Sequence, residues 1–401
     1  MVGSSTRFLS GISYYTHRLT VALTERHDVA AILMRQLVPR RFYPGQARVG
    51  APITQVAYPA QIEVLDGVDW HGVGLIRAVR LLRASHPDVV LFQWWTGAVL
   101  HLYLVLASAA RLLGAQVVVE FHETQDTGEA KIPGAAAYVR VLARAFTGLS
   151  CASIVHSESD VQQVAKAFGV GDRPIVVIPH GPFDQYVPAP PVREAPADAI
   201  NILFFGTIRP YKGLEDLVQA FNDLDSETAQ RYWLTVVGET WEGWEAPGRL
   251  IAQSPHRDRI TFVNHYVTDD ELSGFMAGAD IVALPYRRSS ASGPLHATMT
   301  SGLPVIVTSV GGLPEAAKDY EGAIFVEAAN PGALRAALEQ AAGLVGRRFA
   351  DPHSWERNAE RYGELLSALA AARAGLLQGT GPDEASADPG AAPSDPGGPP
   401  T

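Results

Sequence analysis

The sequence predicts an α/β protein built from two doubly wound domains, each a parallel sheet covered by helices. Three observations predict it. At 401 residues the chain exceeds what one hydrophobic core usually organises. Short β-branched runs alternate with longer helical stretches in two successive series, which is how a parallel sheet with crossover helices reads. Between the series lies a Pro- and Ala-dense stretch, 187–197, with no apolar periodicity, which reads as a linker.

In the first series strands fall at 88–93, 115–121, 152–155 and 175–178, with helices at 98–113, 135–149 and 158–168. The most apolar stretch, 97–114, is interrupted by His101, Ser108 and Arg111 and flanked by strands, so it reads as a buried crossover helix rather than a membrane span. Upstream, Ser10-Gly11-Ile12 and a helix at 14–25 match the glycine-bearing loop and helix that open such a domain. The strand that should feed them is thin. Either 2–8 makes a poor strand or the start lies downstream of the true one, and the sequence favours the second.

The second series places strands at 200–205, 233–237, 260–262, 281–284, 304–308 and 323–326, a second doubly wound domain. Next, 351–375 carries Trp355, Ala359, Tyr362, Leu365 and Leu366 at helical spacing and predicts a helix that crosses back. The tail is rich in Pro, Gly, Ala and Ser, with Asp383, Glu384, Asp388 and Asp395; it cannot bury enough apolar surface to fold and predicts disorder. The expected divisions are therefore 1–186, 187–198 (linker), 199–350, 351–375 (bridging helix) and 376–401 (tail).

With 47% hydrophobic and 18% charged residues the chain is an ordinary globular protein. A formal charge of -10 opposes a general affinity for nucleic acid or anionic lipid. A single cysteine, Cys151, excludes an intrachain disulfide, and no Cys/His spacing resembles a zinc site. No charged and apolar export signal opens the chain, so a cytoplasmic protein is expected.

Two loops carry chemistry. Phe205-Gly206-Thr207-Ile208-Arg209-Pro210-Tyr211-Lys212-Gly213 joins a strand to a helix and sets two cations at a strand's carboxyl end, where open α/β sheets bind ligands. A diphosphate needs such cations together with amides at a helix N-terminus. Ser289-Ser290-Ala291-Ser292-Gly293-Pro294, followed by Leu295, ends at a second helix start, where small residues let backbone amides approach a ligand. Alone, the first loop is as readily a solvated turn, and the second a flexible serine-rich loop.

Their ordered combination decides between these readings. The loop from Phe205 to Gly213, Ala-Asp-Ile-Val-Ala-Leu-Pro-Tyr, Ser-Gly-Leu-Pro-Val-Ile-Val and Val-Gly-Gly-Leu-Pro-Glu together resemble the retaining GT-B-fold glycosyltransferases of family four, the glycosyltransferase group 1 type. The first half adds Ser-Gly-Ile, Val-Val-Glu-Phe-His-Glu, Val-His-Ser-Glu-Ser and Val-Ile-Pro-His-Gly, so the resemblance runs from about Ser10 to Ala370.

The resemblance implies an N-terminal acceptor domain and a C-terminal nucleotide-sugar donor domain, two Rossmann-like halves facing one another across a central cleft. It implies a metal-independent hexosyltransferase with no cofactor, taking a nucleoside diphosphate sugar as co-substrate and transferring with retention. Acceptors would be a glycan, a glycolipid or a small metabolite, with peripheral contact at the inner membrane face for a lipid acceptor and no nucleic-acid partner. It sets His122 beside the donor sugar and Gly11 near the diphosphate and acceptor. Arg209 and Lys212, with Gly206, would hold the diphosphate, and Ser292, Gly293, Pro294 and Leu295 would form the second cradle.

Two departures stand out. Where the family commonly carries two glutamates eight residues apart, this chain has Ser289 and Ala297, and Glu315 is the nearest remaining carboxylate for a donor contact. Thr207 stands where an arginine often follows the glycine, and Arg209 takes its place. The missing glutamates keep a second function open, a degenerate relative that binds a nucleotide sugar or scaffolds a partner. Asp223-Leu224-Asp225 reads as a helix end, and His180 and Cys151 as structural; Trp94 and Trp95 read as domain packing or as an acceptor wall.

Overall fold

The computed structural model describes residues 1–6, 11–37, 56–123, 134–186, 188–241 and 243–378, with side chains to 372. Ser10 and residues 379–401 lie outside the described residues, whereas 376–378, expected to open the disordered tail, continue the last helix.

The first sheet has seven parallel strands: β1 (Val2–Ser4), β2 (Ala30–Gln36), β3 (Glu63–Asp69), β4 (Val89–Trp94), β5 (Gln116–Phe121), β6 (Ala152–Val155) and β7 (Ile175–Val177), in the order β3-β2-β1-β4-β5-β6-β7. Helices α1 (Gly11–Leu23), α2 (Leu75–Ser85), α3 (Leu100–Leu112), α4 (Ala135–Gly148) and α5 (Glu158–Phe168) connect the strands. The thin opening strand is central. Only three residues long, β1 is fully buried, with Val2 in register with Ile32 on one side and Phe92 on the other. The apolar 97–114 stretch is α3, buried on one side, and among the described residues no helix is long and apolar enough to cross a membrane. The elements β2, β3 and α2, where the sequence pattern is weaker, complete the domain.

The second sheet has six parallel strands: β8 (Ile200–Phe205), β9 (Tyr232–Val237), β10 (Ile260–Val263), β11 (Ile281–Leu284), β12 (Val305–Thr308) and β13 (Ala323–Val326), in the order β10-β9-β8-β11-β12-β13. Its helices are α6 (Leu214–Asn222), α7 (Ser226–Ala229), α8 (Ala246–Ala252), α9 (Asp269–Ala277), α10 (Gly293–Thr300), α11 (Leu313–Ala317) and α12 (Pro331–Ala342). Asp225 accepts from the Glu227 and Thr228 amides and caps α7, which accounts for the Asp223-Leu224-Asp225 run. In both sheets the order reverses beside the first strand of the series, the place where open α/β sheets hold ligands.

The segment after 188 does not run free. Arg193 donates to Gly278 O and to Asp280, and the Val192 amide donates to Gly274 O, so this strap follows the end of α9. The last helix, α13 (Trp355–Gln378), crosses back to the first domain, where Trp355 and Tyr362 enter a core with Tyr15, Leu19 and Leu23 of α1 and with Val118 and Ile154. Trp94 packs against Phe121, Phe146 and Phe168 as a core side chain.

Candidate active site

Two loops of the second sheet meet over Gly206. The chain leaves β8 at Gly206 with φ +106°, a conformation only glycine adopts readily. An ideal Cβ there would lie 3.4 Å from Lys212 Nζ and 3.4 Å from the Pro294 ring. The carboxyl end of β8, the lysine and the start of α10 thus share one spot. The turn that carries Lys212 is pinned from outside. Gly213 lies so close to Pro285 O that a Cβ would approach within 2.0 Å, Tyr211 O accepts the Arg287 amide, and Arg287 grips Asp216 of α6 with two hydrogen bonds.

Lys212 is buried and donates to the Tyr286 hydroxyl at 3.0 Å. Burial holds its ammonium below the usual lysine range, and Arg209 adds to the effect. Arg209 holds its guanidinium over the rings of Tyr211 and Trp241.

Facing these groups is the first domain. A cavity of about 380 Å³ is lined by Gly11, His122, Gly206, Lys212, Gly293 and Pro294, and extends past Glu239 and Trp241 to Asp269. The Phe183 ring stands between the two glycine-bearing helix starts, 3.1 Å from an ideal Cβ on Gly11 and 3.4 Å from one on Gly293. Phe183 stacks on His180, and His180 on His296.

His122 is held by a relay. Ile178 O can only accept, so His156 Nδ1 donates to it at 2.9 Å; His156 Nε2 then accepts from His122 Nδ1 at 3.1 Å. Burial pushes His156 down to about 4 and drives His122 well below the usual histidine range, so both rings are neutral. His122 Nε2 is sealed from solvent, 3.4 Å from Glu120 Oε1. Glu120 is fully buried, accepts from the Tyr362 hydroxyl of α13 at 2.6 Å, and is pushed up to about 7 by burial. His122 therefore lines the cavity with its nitrogens turned into the protein.

Four expected site residues do not line this cavity: Arg209, whose guanidinium lies over the lining residue Trp241, and Ser292, Leu295 and Glu315. The Ser292 hydroxyl caps α10 by accepting the Leu295 amide, and Leu295 is buried in the core of the second domain, so both support the helix start rather than line the cavity. Glu315 reaches across the cleft and accepts the Glu158 amide at the start of α5, at 2.8 Å, a stable place for a carboxylate. It borders a separate cavity of about 610 Å³ at the α13 end of the cleft, which shares only His180 and Ala291 with the first.

The same halves emerge from comparison with known proteins. Residues 10–181 match the glycosyl transferase 4-like domain, and residues 199–343 match the family of glycosyl transferases group 1. The chain thus carries a glycosyl transferase 4-like domain followed by a glycosyl transferases group 1 domain. It is 27% identical over 250 residues to a D-inositol 3-phosphate glycosyltransferase of Geodermatophilus obscurus, covering 57% of this chain and 55% of that protein. A protein of the same description from Streptomyces scabiei is 26% identical over 394 residues, covering 89% and 82%. The chain spans about half the length of the first curated relatives it matches. Among solved structures, Anabaena HepE in complex with UDP-glucose superposes with a TM-score of 0.55 at 15% identity, covering 94% of this chain and 98% of that one. The two parallel-sheet domains are those of the GT-B fold.

Within the group 1 domain the two positions without glutamate leave distinct traces. Ser289 is buried and turns its hydroxyl back onto Ala291 O at 2.9 Å, while its carbonyl lies against Gly311, where a Cβ would come within 1.7 Å. Ala297 is packed in the core. Among the described residues lining the 380 Å³ cavity the carboxylates are Glu239, which follows β9, and Asp269, which opens α9. Phe183 was not singled out in the sequence, and Glu120, His156 and Tyr362 were named only within motifs or as helix residues; that Tyr362 of α13 meets Glu120 of β5 is invisible to periodicity.

Proposed function

We propose that this chain transfers a glycosyl unit from a nucleoside diphosphate sugar to an acceptor hydroxyl, with retention at the anomeric carbon. One observation carries the reading: Lys212 Nζ, Gly206 and Pro294 converge at one point of a cavity that both domains line. A buried cation beside a helix N-terminus is the equipment for an anion, and a leaving diphosphate gains charge as its bond to the sugar breaks.

In the proposed reaction the bond between the anomeric carbon and the diphosphate oxygen breaks, and the acceptor oxygen bonds to that carbon from the same face. Lys212, Arg209 and the amides at the start of α10 take up the charge on the leaving oxygen. The acceptor proton passes to a donor phosphate oxygen. His122 suits the role of a neutral wall beside the sugar rather than that of a base, since neither nitrogen faces the cavity. No step requires a metal. HepE is described in complex with UDP-glucose, and the Geodermatophilus obscurus and Streptomyces scabiei relatives are described as D-inositol 3-phosphate glycosyltransferases, which makes nucleotide sugars and phosphorylated polyols the first donor and acceptor classes to assay. The protein is taken to work in the cytoplasm, at the inner membrane face if its acceptor is a lipid.

Ser289 and Ala297 favour a second reading, a member that binds donor without transferring. Incubation with a panel of nucleotide sugars, with and without acceptors, separates the two: release of nucleoside diphosphate above the rate without protein supports the transferase, and donor binding with no release across the panel refutes it.

A further inference from the structure

The donor cavity ends at a carboxylate that the transfer just described does not use. Asp269 opens α9 and lines the cavity with Tyr186, Trp241, Tyr266, Val267 and Leu272. Among the described residues nothing donates to its side chain. It is not needed as a cap, because Thr268 and Glu271 form a capping box at the start of α9. Its apolar surroundings lift the carboxyl to about 6, and Asp270 adds to the effect, so at neutral pH the group is ionised and unpaired.

Position along the sheet says what Asp269 would meet. The strands run β10-β9-β8, and neighbours lie about 4.8 Å apart. The diphosphate cradle hangs from β8; Glu239 follows β9, one spacing away, and Asp269 lies beyond β10, two spacings away. A nucleoside extending from the cradle along the cavity sets its ribose beside β9 and the outer edge of its base beside β10. Glu239 already accepts Trp241 Nε1 at 3.0 Å, which leaves Asp269 as the carboxylate open to the base.

We infer that Asp269 reads the nucleobase of the donor and selects guanine, so that the donor is a GDP-sugar; the inference rests on the diphosphate site proposed above. Among the common bases guanine alone presents two adjacent donors, the ring N1–H and the 2-amino group, which match the two oxygens of a carboxylate. Adenine sets a ring nitrogen lone pair beside its single amino group, and uracil sets one N–H between two carbonyls. Either turns a lone pair toward the carboxylate, so the site discriminates by repulsion as well as by attraction.

Calorimetric titration of the full chain with GDP, IDP, UDP and ADP tests this, using wild type, Asp269→Asn and Lys212→Met. GDP should bind wild type roughly 10- to 100-fold more tightly than UDP or ADP, with IDP, which lacks the 2-amino group, in between. Asp269→Asn should remove most of that advantage and leave UDP and ADP within about threefold of their wild-type affinities. UDP or ADP binding wild type as tightly as GDP would overturn the inference. So would an equal loss for all four ligands in Asp269→Asn, since that marks a contact to the shared ribose or to the fold. Lys212→Met isolates the underlying reading: a wild-type-like affinity for every diphosphate there, or no binding by wild type, overturns the diphosphate site itself, whereas loss of all four together with a UDP preference in wild type overturns only the choice of base.

Discussion

Replacing Lys212 with methionine separates the cost of the cradle from its use. The lysine is 8% exposed, its ammonium donates to the Tyr286 hydroxyl, and among the described residues no carboxylate pairs with it. Without ligand the fold therefore holds a desolvated cation beside Arg209, an arrangement that destabilises the protein until an anion arrives. Methionine keeps most of the stem and removes the charge. Losing one preorganised group that meets developing charge should lower kcat about 10²- to 10³-fold, or about 3–4 kcal/mol of transition-state stabilisation. Relief of the buried charge should leave the unfolding free energy unchanged or raise it by about 0.5–2 kcal/mol. The stabilisation that nucleoside diphosphate gives wild type, about 2.7 kcal/mol at a hundredfold excess over Kd, should disappear. Nucleoside diphosphate release read by a coupled assay and thermal unfolding with and without ligand give all three quantities. Wild-type turnover with an intact ligand-induced shift would refute the reasoning, and a large drop in unfolding temperature without ligand would recast Lys212 as a structural residue.

Three further outcomes are expected. Burial raises Glu120 from 4.5 to about 7, so the folded state binds this proton more tightly than the unfolded chain and its contribution is lost as pH rises from about 4.5 to 7. Glu120→Gln should then lose less stability than wild type between pH 5 and 8, by up to about 3 kcal/mol in chemical denaturation; parallel profiles would contradict this. Gly238 has φ +153°, and a Cβ there would lie 2.0 Å from Gly206 O, so Gly238→Ala should push β9 off the cradle, cost about 1–3 kcal/mol in urea unfolding and weaken diphosphate binding in the same titrations. Turnover should persist after dialysis against a chelator, although Glu120, His122 and His156 bring three ligand-type atoms within 4.8 Å, because the His122–His156 hydrogen bond occupies a lone pair that a metal would need; activity lost on chelation and restored by zinc would reverse this view.

The sequence made the two sheets legible because strands buried on both faces read as continuous apolar runs, as 200–205 and 281–284 do, and such runs need no partner to be recognised. The short β1 is the counterexample: two neighbours bury it completely, and its three residues carry too little pattern to announce a central strand. At the site, glycines and cations at strand ends were legible because their geometry follows from the strand itself. Contacts that depend on how the domains meet were not. Glu315 reads as a donor contact until the start of α5 lies opposite it, and Ser292 reads as a ligand until its hydroxyl is found capping its own helix.

The histidines explain why so few cations are needed. His122, His156, His180 and His296 form a continuous series of ring contacts across the cleft, and burial drives all four below the usual histidine range, with mutual proximity adding to the effect for three of them. Were they charged, their field would attract a diphosphate anywhere along this wall and would stabilise bound donor as much as the transition state, which gains no rate. With the rings neutral, Lys212 is the cation among the described residues that lines the cavity, and in the proposed reaction the attraction is concentrated where the bond to the sugar breaks. On the proposed reading the carboxylate beyond β10 continues the same logic with opposite sign: a negative end would repel phosphate and accept N–H groups, and so orient a nucleoside diphosphate along the cavity before any chemistry begins.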